Sequence, residues 1–469
     1  MKRRKKVSAD PAHLYYSGAA VRLLARLVAR KHGIRLGEIL REVDAAQRMS
    51  VDELQAYRDR KFVALARYCY EHVLYYRRLF RESGLTPDCI RGLDDLRCLP
   101  PLTKEILRQR YNDLLSDELP ALKPISRSTG GTTGEPMTVL LDKRTSFIQD
   151  ACHLRGLSWS GYKMGYLTLA FTGGSLGLSK TPFARRLANL LYRVRPFPAF
   201  ELDRSKATAL ASVCRQRGIM YGMGYCSAWF LFCEHLESAG EHLPLQAVYP
   251  TAEVLNEMWA EKIKQVTGAR VMDYYGCGEI NSLGHRIIPG GPHWIAEDHV
   301  VIEALDENNR ISAEGSGEFV ITDLDNRALP LLRYRNGDAG VIGQPDPDSG
   351  LPFRRVLRLE GRVNEFFYRT DGWRVSGVLA THLLLRTRIS LDKFELCQAR
   401  IGAIALRHTP SPSLTPDNKK LVTRILRSVL GEDTEVSFEE TTDFPLTPSG
   451  KRRFAICRVT NPSNLVARG

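Results

Sequence analysis

Between Ser126 and Pro136 the chain reads Ser-Arg-Ser-Thr-Gly-Gly-Thr-Thr-Gly-Glu-Pro. Gly130, Gly131 and Gly134 let the backbone turn and expose its N–H groups, while Ser128, Thr129, Thr132 and Thr133 add hydroxyl donors. A loop that wraps a polyphosphate needs this combination, although a flexible Ser/Gly linker shares the composition. It is not a Walker A loop, because no Lys-Ser/Thr follows the last glycine. A second cluster is Asp273-Tyr274-Tyr275-Gly276-Cys277-Gly278-Glu279. Here an aromatic can stack on a base, glycine permits close approach, and a carboxylate can hold Mg²⁺ through one or two oxygens. A tight turn after a strand would read identically. A third, Pro330 to Asp338, ends in Asn-Gly-Asp, where a carboxylate can accept from ribose hydroxyls or simply close a turn. The fourth, Leu446 to Arg453, offers Lys451 on a Pro/Gly loop, as a point charge for phosphate or carboxylate or as part of a solvated basic tail.

These residues need a scaffold. Tyr166 to Thr172 reads as a buried strand ending at Gly173-Gly174, and Ala207 to Gln216 as a helix stopped by Gly218. Val300–Leu305 and Gly317–Thr322 read as strands joined by the polar turn Asp306 to Asn309. Strands mixed with helices indicate an α/β fold, with the first hundred residues mainly helical. A Pro/Asp/Gly loop at Gln344 to Gly350 reads as a break; the hundred or so residues beyond it suit a small α+β domain with a helix over Asp417 to Leu430. Ala19 to Arg30 sets arginines at every fourth position beside an apolar stripe. A membrane-surface helix and a helix packed on its own domain share that pattern; the lack of interfacial aromatics favours packing.

Composition narrows the class. A length of 469 residues suggests about three folding units. Lysine plus arginine (67) against aspartate plus glutamate (53) leaves +14, which suits an anionic partner without choosing one. No apolar run approaches about 18 residues, so no transmembrane helix is expected. The start, Met1 to Lys6, is basic, but Val7-Ser8-Ala9-Asp10-Pro11 is no signal-peptide core, so a cytoplasmic protein is expected. None of the ten cysteines forms a Cys-x-x-Cys pair, which leaves zinc ribbons and thioredoxin-type sites unsupported. Neither a zinc finger nor a concentrated basic helix argues for nucleic acid.

Taken together and in this order, the four segments resemble the adenylate-forming (acyl-activating) superfamily, in its phenylacetate–CoA ligase-like branch with the capsule-biosynthesis relatives. The resemblance runs from about residue 50 to 455. Ser128 to Pro136 matches the phosphate loop, Tyr275 to Glu279 a Tyr-Gly-x-x-Glu element, and Arg333 to Asp338 an Arg-Tyr-x-x-Gly-Asp element. Gly361-Arg362 matches a Gly-Arg before an interdomain hinge, and Thr447 to Lys451 a Ser-Gly-Lys loop. The resemblance implies a large N-terminal domain of layered sheets and helices over 1–363, and a small mobile α+β lid domain over 364–469 carrying Lys451.

It also implies roles. Ser128, Thr129, Gly130, Gly131, Thr132, Thr133 and Gly134 would cradle ATP phosphates, with Glu253, Tyr275, Gly276, Asp338 and Arg362 completing the nucleotide site. Tyr275 would stack on adenine, Glu279 would bind Mg²⁺, Asp338 would hold the ribose, Asn364 would be the hinge, and Lys451 would bridge carboxylate and α-phosphate. Phe171, Gly173, Tyr225, Cys226 and Ser227 would lie near the acyl pocket. The implied reaction converts a small carboxylic acid to its acyl-adenylate and then to a coenzyme A thioester; an amine or carrier thiol is the alternative acceptor. The enzyme would be a monomer or homodimer, with peripheral membrane contact by the basic N-terminus. Three departures stand out: Glu135 where lysine is usual, Gly278 where many relatives carry Ser or Thr, and Asn364 where aspartate is usual. The structural zinc of several relatives is not expected, since Asp346 to Gly350 replaces their Cys-x-Cys-Gly stretch, leaving Cys277, His285 and His293 as fold or pocket residues. A remote rival is a serine hydrolase, since Gly173-Gly174-Ser175-Leu176-Gly177 fits a nucleophile elbow.

Overall fold

A computed structural model describes residues 11–128, 137–172, 189–190, 192–199, 202–362, 366–371, 374–377, 380–381, 384, 387, 389, 391, 393–445 and 454–459. The chain divides into two compact units. The larger takes the chain up to Arg358, and the smaller takes it from Leu359 together with Gly337–Ala339.

The larger unit opens on helices Gly18–Lys31, Leu36–Ala46, Val51–His72 and Leu74–Glu82. Val51–His72 starts where sequence chemistry dictates. Glu53 N–H donates to Ser50 Oγ at 3.1 Å, and Ser50 N–H to Glu53 Oε2 at 2.8 Å, a capping box that satisfies two otherwise orphan donors. Ala25, Ala29, Leu36, Ile39, Leu40 and Val43 pack with Ile148 and Cys152 of helix Lys143–Ser158 in one core. The expectation that the Ala19–Arg30 stripe packs is met only by the alanines. Leu23, Leu27 and Val28 stay 58%, 56% and 40% exposed, because the face turned to the core is the one carrying Ala25 and Ala29.

A five-stranded parallel sheet follows, in the order Val194–Pro198, Thr168–Thr172, Tyr221–Tyr225, Ala247–Thr251, Arg270–Val271. Parallel strands need crossover helices; Arg204–Arg217, Cys226–Ser238 and Glu257–Thr267 supply them. The first begins on Asp203, whose carboxylate accepts from Lys206 N–H at 2.8 Å, and ends on Gly218 at φ 64°, the left-handed C-cap that glycine favours. Beside it an eight-stranded sheet runs in the order Ile311–Ser312, Val300–Leu305, Gly315–Asp323, Tyr334–Gly343, Arg355–Arg362, His293–Ile295, Gly284–Arg286, Tyr274–Tyr275. Tyr334–Gly343 and Arg355–Arg362 are neighbours in it, so the Pro/Asp/Gly loop at 344–350 connects two strands of one sheet and is not a domain break. The composition of a linker and of a hairpin loop is the same; only the pairing separates them.

The smaller unit is α+β. Its four-stranded sheet runs Glu435–Glu440, Ala403–His408, Phe394–Arg400, Ala455–Cys457. Helix Pro416–Leu430 sets Val422, Leu426 and Leu430 against Leu396, Ile404 and Leu406.

Candidate active site

The antiparallel ribbon Ile125–Ser128 and Thr138–Leu141 pairs Ser128 with Thr138. Both ends of the Ser/Thr/Gly segment are therefore held by a ladder, which a free linker would not require. Arg127, at the base of the ribbon, donates to Gln149 Oε1 at 2.7 Å. Thr129, Gly130, Gly131, Thr132, Thr133 and Gly134 lie outside the described residues, as do Gly173, Ser175, Asn364 and Lys451.

The second and third motifs meet through side chains. Tyr334 O–H donates to Glu279 Oε1 at 3.0 Å, and Asn336 Nδ2–H donates to Tyr275 Oη at 2.8 Å. Strand periodicity explains the match: residues two apart on Tyr334–Gly343 share a face, so Tyr334 and Asn336 reach Glu279 and Tyr275 together. Tyr275 is 5% and Glu279 6% exposed, with Phe319 5.9 Å from the Tyr275 ring. A carboxylate oxygen is the kind of donor that fits a hard divalent cation carried by phosphates. Gly276 follows directly; a Cβ there would sit 3.3 Å from Ser282 N.

Within the smaller unit, Arg362 Nε donates to Asp338 Oδ1 at 2.8 Å. The guanidinium orients that carboxylate, and a charge-assisted contact of this kind is short and directional.

The end of strand Tyr221–Tyr225 is shaped by Gly224, at φ +122°, where a Cβ would meet Phe171 O at 2.0 Å. No other residue fits that approach. Helix Cys226–Ser238 starts at once, and Glu253 caps it: Ser227 N–H donates to Glu253 Oε2 at 2.7 Å and Ser227 Oγ to Oε1 at 2.9 Å. A carboxylate at a helix N-terminus satisfies orphan donors and the helix dipole. Sequence reading assigned Glu253 and Ser227 to different subsites; the structure joins them in one clamp. Nothing in the spacing of 26 residues signals this, because parallel strands bring their ends together only in three dimensions.

The Phe171 side chain is fully buried among Trp229, Phe232 and Phe197, at 4.8, 5.3 and 6.1 Å between ring centres, so among the described residues it builds the core beneath the strand end. Tyr225 and Cys226 are buried too, the thiol directed at Glu253 O at 3.3 Å. Of the described residues expected at the acyl pocket, Ser227 alone keeps appreciable exposure.

Behind Tyr274 lies a histidine pair, His285 buried and His153 partly so, that sequence reasoning missed in part. His153 Nδ1 and His285 Nε2 share a hydrogen bond at 2.9 Å, and the Tyr274 ring stacks on His285 at 5.4 Å. Gly156 makes room, since a Cβ there would lie 2.1 Å from His285 Cγ. His293 bonds Asp273 at 3.0 Å. Burial alone would raise the Asp273 carboxyl, but the His293 charge and hydrogen bond, with Arg286, hold it below its ordinary value. His285 and His293 are thus each held by a hydrogen-bonded partner, and Cys277 closes a local turn through Ile280 N–H at 3.3 Å.

Burial pushes His153 down to about 4 and His285 well below its ordinary value. Their folded pKa values lie below the unfolded 6.5, so the unfolded chain binds the extra protons as pH falls. Stability is full above pH 6.5 and is lost toward pH 4. Moving from pH 7 to 5 should cost about 2 kcal/mol through His153 alone, read by urea denaturation at both pH values. His153→Gln should flatten that pH dependence; an unchanged slope would discount the pair.

Another unforeseen cluster is His299, Asp323 and Asp325, whose ligand atoms could hold a metal. Lys61 Nζ already sits 2.7 Å from Asp325. Burial would lower this ammonium, but Asp325 outweighs it and raises it to about 12, so the lysine supplies the positive charge the acids require.

No family model matches the chain. It is 29% identical over 339 residues to a phenylacetate–coenzyme A ligase of Thermus thermophilus, covering 67% of this chain and 71% of the relative. It is 28% identical to the phenylacetate–coenzyme A ligase of Escherichia coli, covering 69% and 74%. Among solved structures, 2-hydroxyisobutyryl-CoA ligase in the postadenylation state with 2-HIB-AMP aligns at a TM-score of 0.70 and 18% identity, over 90% of this chain and 93% of that one. That likeness establishes a shared fold.

Proposed function

We infer that this chain, which belongs with the adenylate-forming superfamily in its phenylacetate–coenzyme A ligase-like branch, uses ATP to activate a carboxylic acid as its acyl-adenylate, releasing pyrophosphate, and then forms a coenzyme A thioester. The observation that carries this reading is the pair of hydrogen bonds, Tyr334 to Glu279 and Asn336 to Tyr275, that unite two motifs nearly sixty residues apart.

The chemistry is electrostatic. Attack of a carboxylate on the α-phosphorus brings anions together, and pyrophosphate leaves with further charge. Little covalent work falls to the protein; it must position the reactants and neutralise charge where it develops. Donors of the Ser128–Gly134 segment would bind the phosphates, Tyr275 would stack on adenine, Asp338 steadied by Arg362 would hold the ribose, and Lys451 would bridge carboxylate and α-phosphate. Glu279 is the residue that would hold Mg²⁺, which supplies neutralising charge at the phosphate oxygens. Glu253 and Ser227 would fix the wall of the acyl pocket, and residues 364–469 would be the moving lid that admits the thiol after adenylation.

Carboxylate-dependent exchange between ATP and pyrophosphate, screened over aromatic and aliphatic acids, tests the first half; release of AMP with and without coenzyme A tests the second. Exchange without coenzyme A-stimulated turnover would move the acceptor to an amine or a carrier thiol. No exchange with any acid would end the reading. Glu279→Gln should raise the Mg²⁺ concentration for half-maximal exchange by about tenfold, since a neutral amide binds a divalent ion weakly; an unchanged titration would remove Glu279 from the metal.

A further inference from the structure

Helix Gly18–Lys31 is turned inside out. Its two buried residues are alanines, while Leu23 and Leu27, one turn apart, are 58% and 56% exposed, with Val28 at 40% beside them. On a helical wheel Ala20, Leu23 and Leu27 form the outward ridge, with Arg26 and Arg30 along one flank and Lys31 along the other; all three cations are exposed. The helix contains no acidic residue. Over residues 1–35 there are ten lysines and arginines against one acid, Asp10, a local +9 out of the chain's +14. The basic excess noted from composition is therefore concentrated at one end.

A soluble surface seldom presents leucines as its outward ridge without a partner, and an apolar ridge flanked by cations beside a basic segment is the pattern of a helix lying in a lipid interface. We propose that helix Gly18–Lys31 docks the enzyme reversibly on an anionic lipid surface. Leu23 and Leu27 enter the acyl boundary while Arg26, Arg30 and Lys31 meet headgroup phosphates. Charge complementarity selects this occupant over a second copy of the chain, since a self-contact through this face would set cations against cations. The absence of tryptophan and tyrosine from the helix keeps the attachment weak and dependent on charge.

The test is co-sedimentation of the full chain with vesicles of phosphatidylglycerol and phosphatidylcholine, and with phosphatidylcholine alone. Binding should require the anionic lipid and fall steeply between 50 and 300 mM salt. Each basic residue removed, as in Arg26→Gln or Arg30→Gln, should weaken partitioning about fivefold, and the pair Leu23→Gln, Leu27→Gln should weaken it at least about tenfold. The same variants should fold and should retain the ATP–pyrophosphate exchange of the unaltered chain, which separates this proposal from the catalytic reading. No binding to anionic vesicles overturns it. So does a dimer by sedimentation that the two leucine substitutions abolish, for that outcome assigns the ridge to a second copy.

Discussion

Lys451→Ala should lower acyl-adenylate formation from ATP and acid by about two to three orders of magnitude, while thioester formation from preformed acyl-adenylate and coenzyme A stays close to that of the unaltered enzyme. The asymmetry follows from where charge develops. In the first half-reaction two anions approach and a third leaves, and with no lysine or arginine between Ser128 and Pro136, Lys451 is the main side-chain cation proposed for the carboxylate and α-phosphate. In the second, a thiol attacks a carbonyl already activated, and AMP leaves without a new anionic contact that this ammonium must screen. Lys451→Arg should restore only part of the rate, because a planar fork cannot replace a compact point charge bridging two groups. Exchange and single-turnover thioesterification, measured separately, give the two numbers. Equal losses in both would take the lysine out of the adenylation step.

The legibility of this chain in its sequence divides along a physical line. Features made by neighbours along the chain were readable: the strand Val300–Leu305, the helix closed by Gly218, and the polar turn in which Asp306 Oδ1 accepts from Asn308 N–H at 2.9 Å. The Tyr275–Glu279 and Arg333–Asp338 motifs were legible as residue patterns, though not the Tyr334–Glu279 and Asn336–Tyr275 hydrogen bonds that join them. Features made by chain segments meeting from afar were not. Glu253 capping the Ser227 helix, the His153–His285 pair and the Lys61–Asp325 contact join residues 26, 132 and 264 positions apart. The outward turn of Leu23 and Leu27 belongs with these. Periodicity reveals that a helix has an apolar stripe, but only the neighbours decide which side of the helix they cover. The same limit made the Gln344–Gly350 loop look like a boundary.

The ion pair of Arg155 with Asp298 shows how much of the fold depends on such distant meetings. Arg155 Nη1–H and Nη2–H donate to the two carboxylate oxygens at 2.8 and 2.7 Å, and both residues are at most 4% exposed. Nη1 also donates to Val43 O at 2.9 Å, and the guanidinium lies 4.7 Å from the Phe353 ring. One side chain thus ties helix Lys143–Ser158 to helix Leu36–Ala46, to the turn before strand Val300–Leu305, and to the segment after the Gln344–Gly350 loop. Burial would lower the Arg155 pKa, but Asp298 outweighs it and holds the guanidinium charged. Arg155→Ala leaves Asp298 a buried carboxylate with its chief partner gone, and should destabilise the protein by about 3–5 kcal/mol, read as a lower urea midpoint with an unchanged slope. Arg155→Met with Asp298→Leu removes both charges and keeps most of the volume; it should recover much of that loss, since well-packed apolar pairs often match a buried ion pair. If the double variant is no more stable than Arg155→Ala, the pair's value lies in its hydrogen bonds to Val43 and in its packing on Phe353, with the charge of Asp298 a minor part.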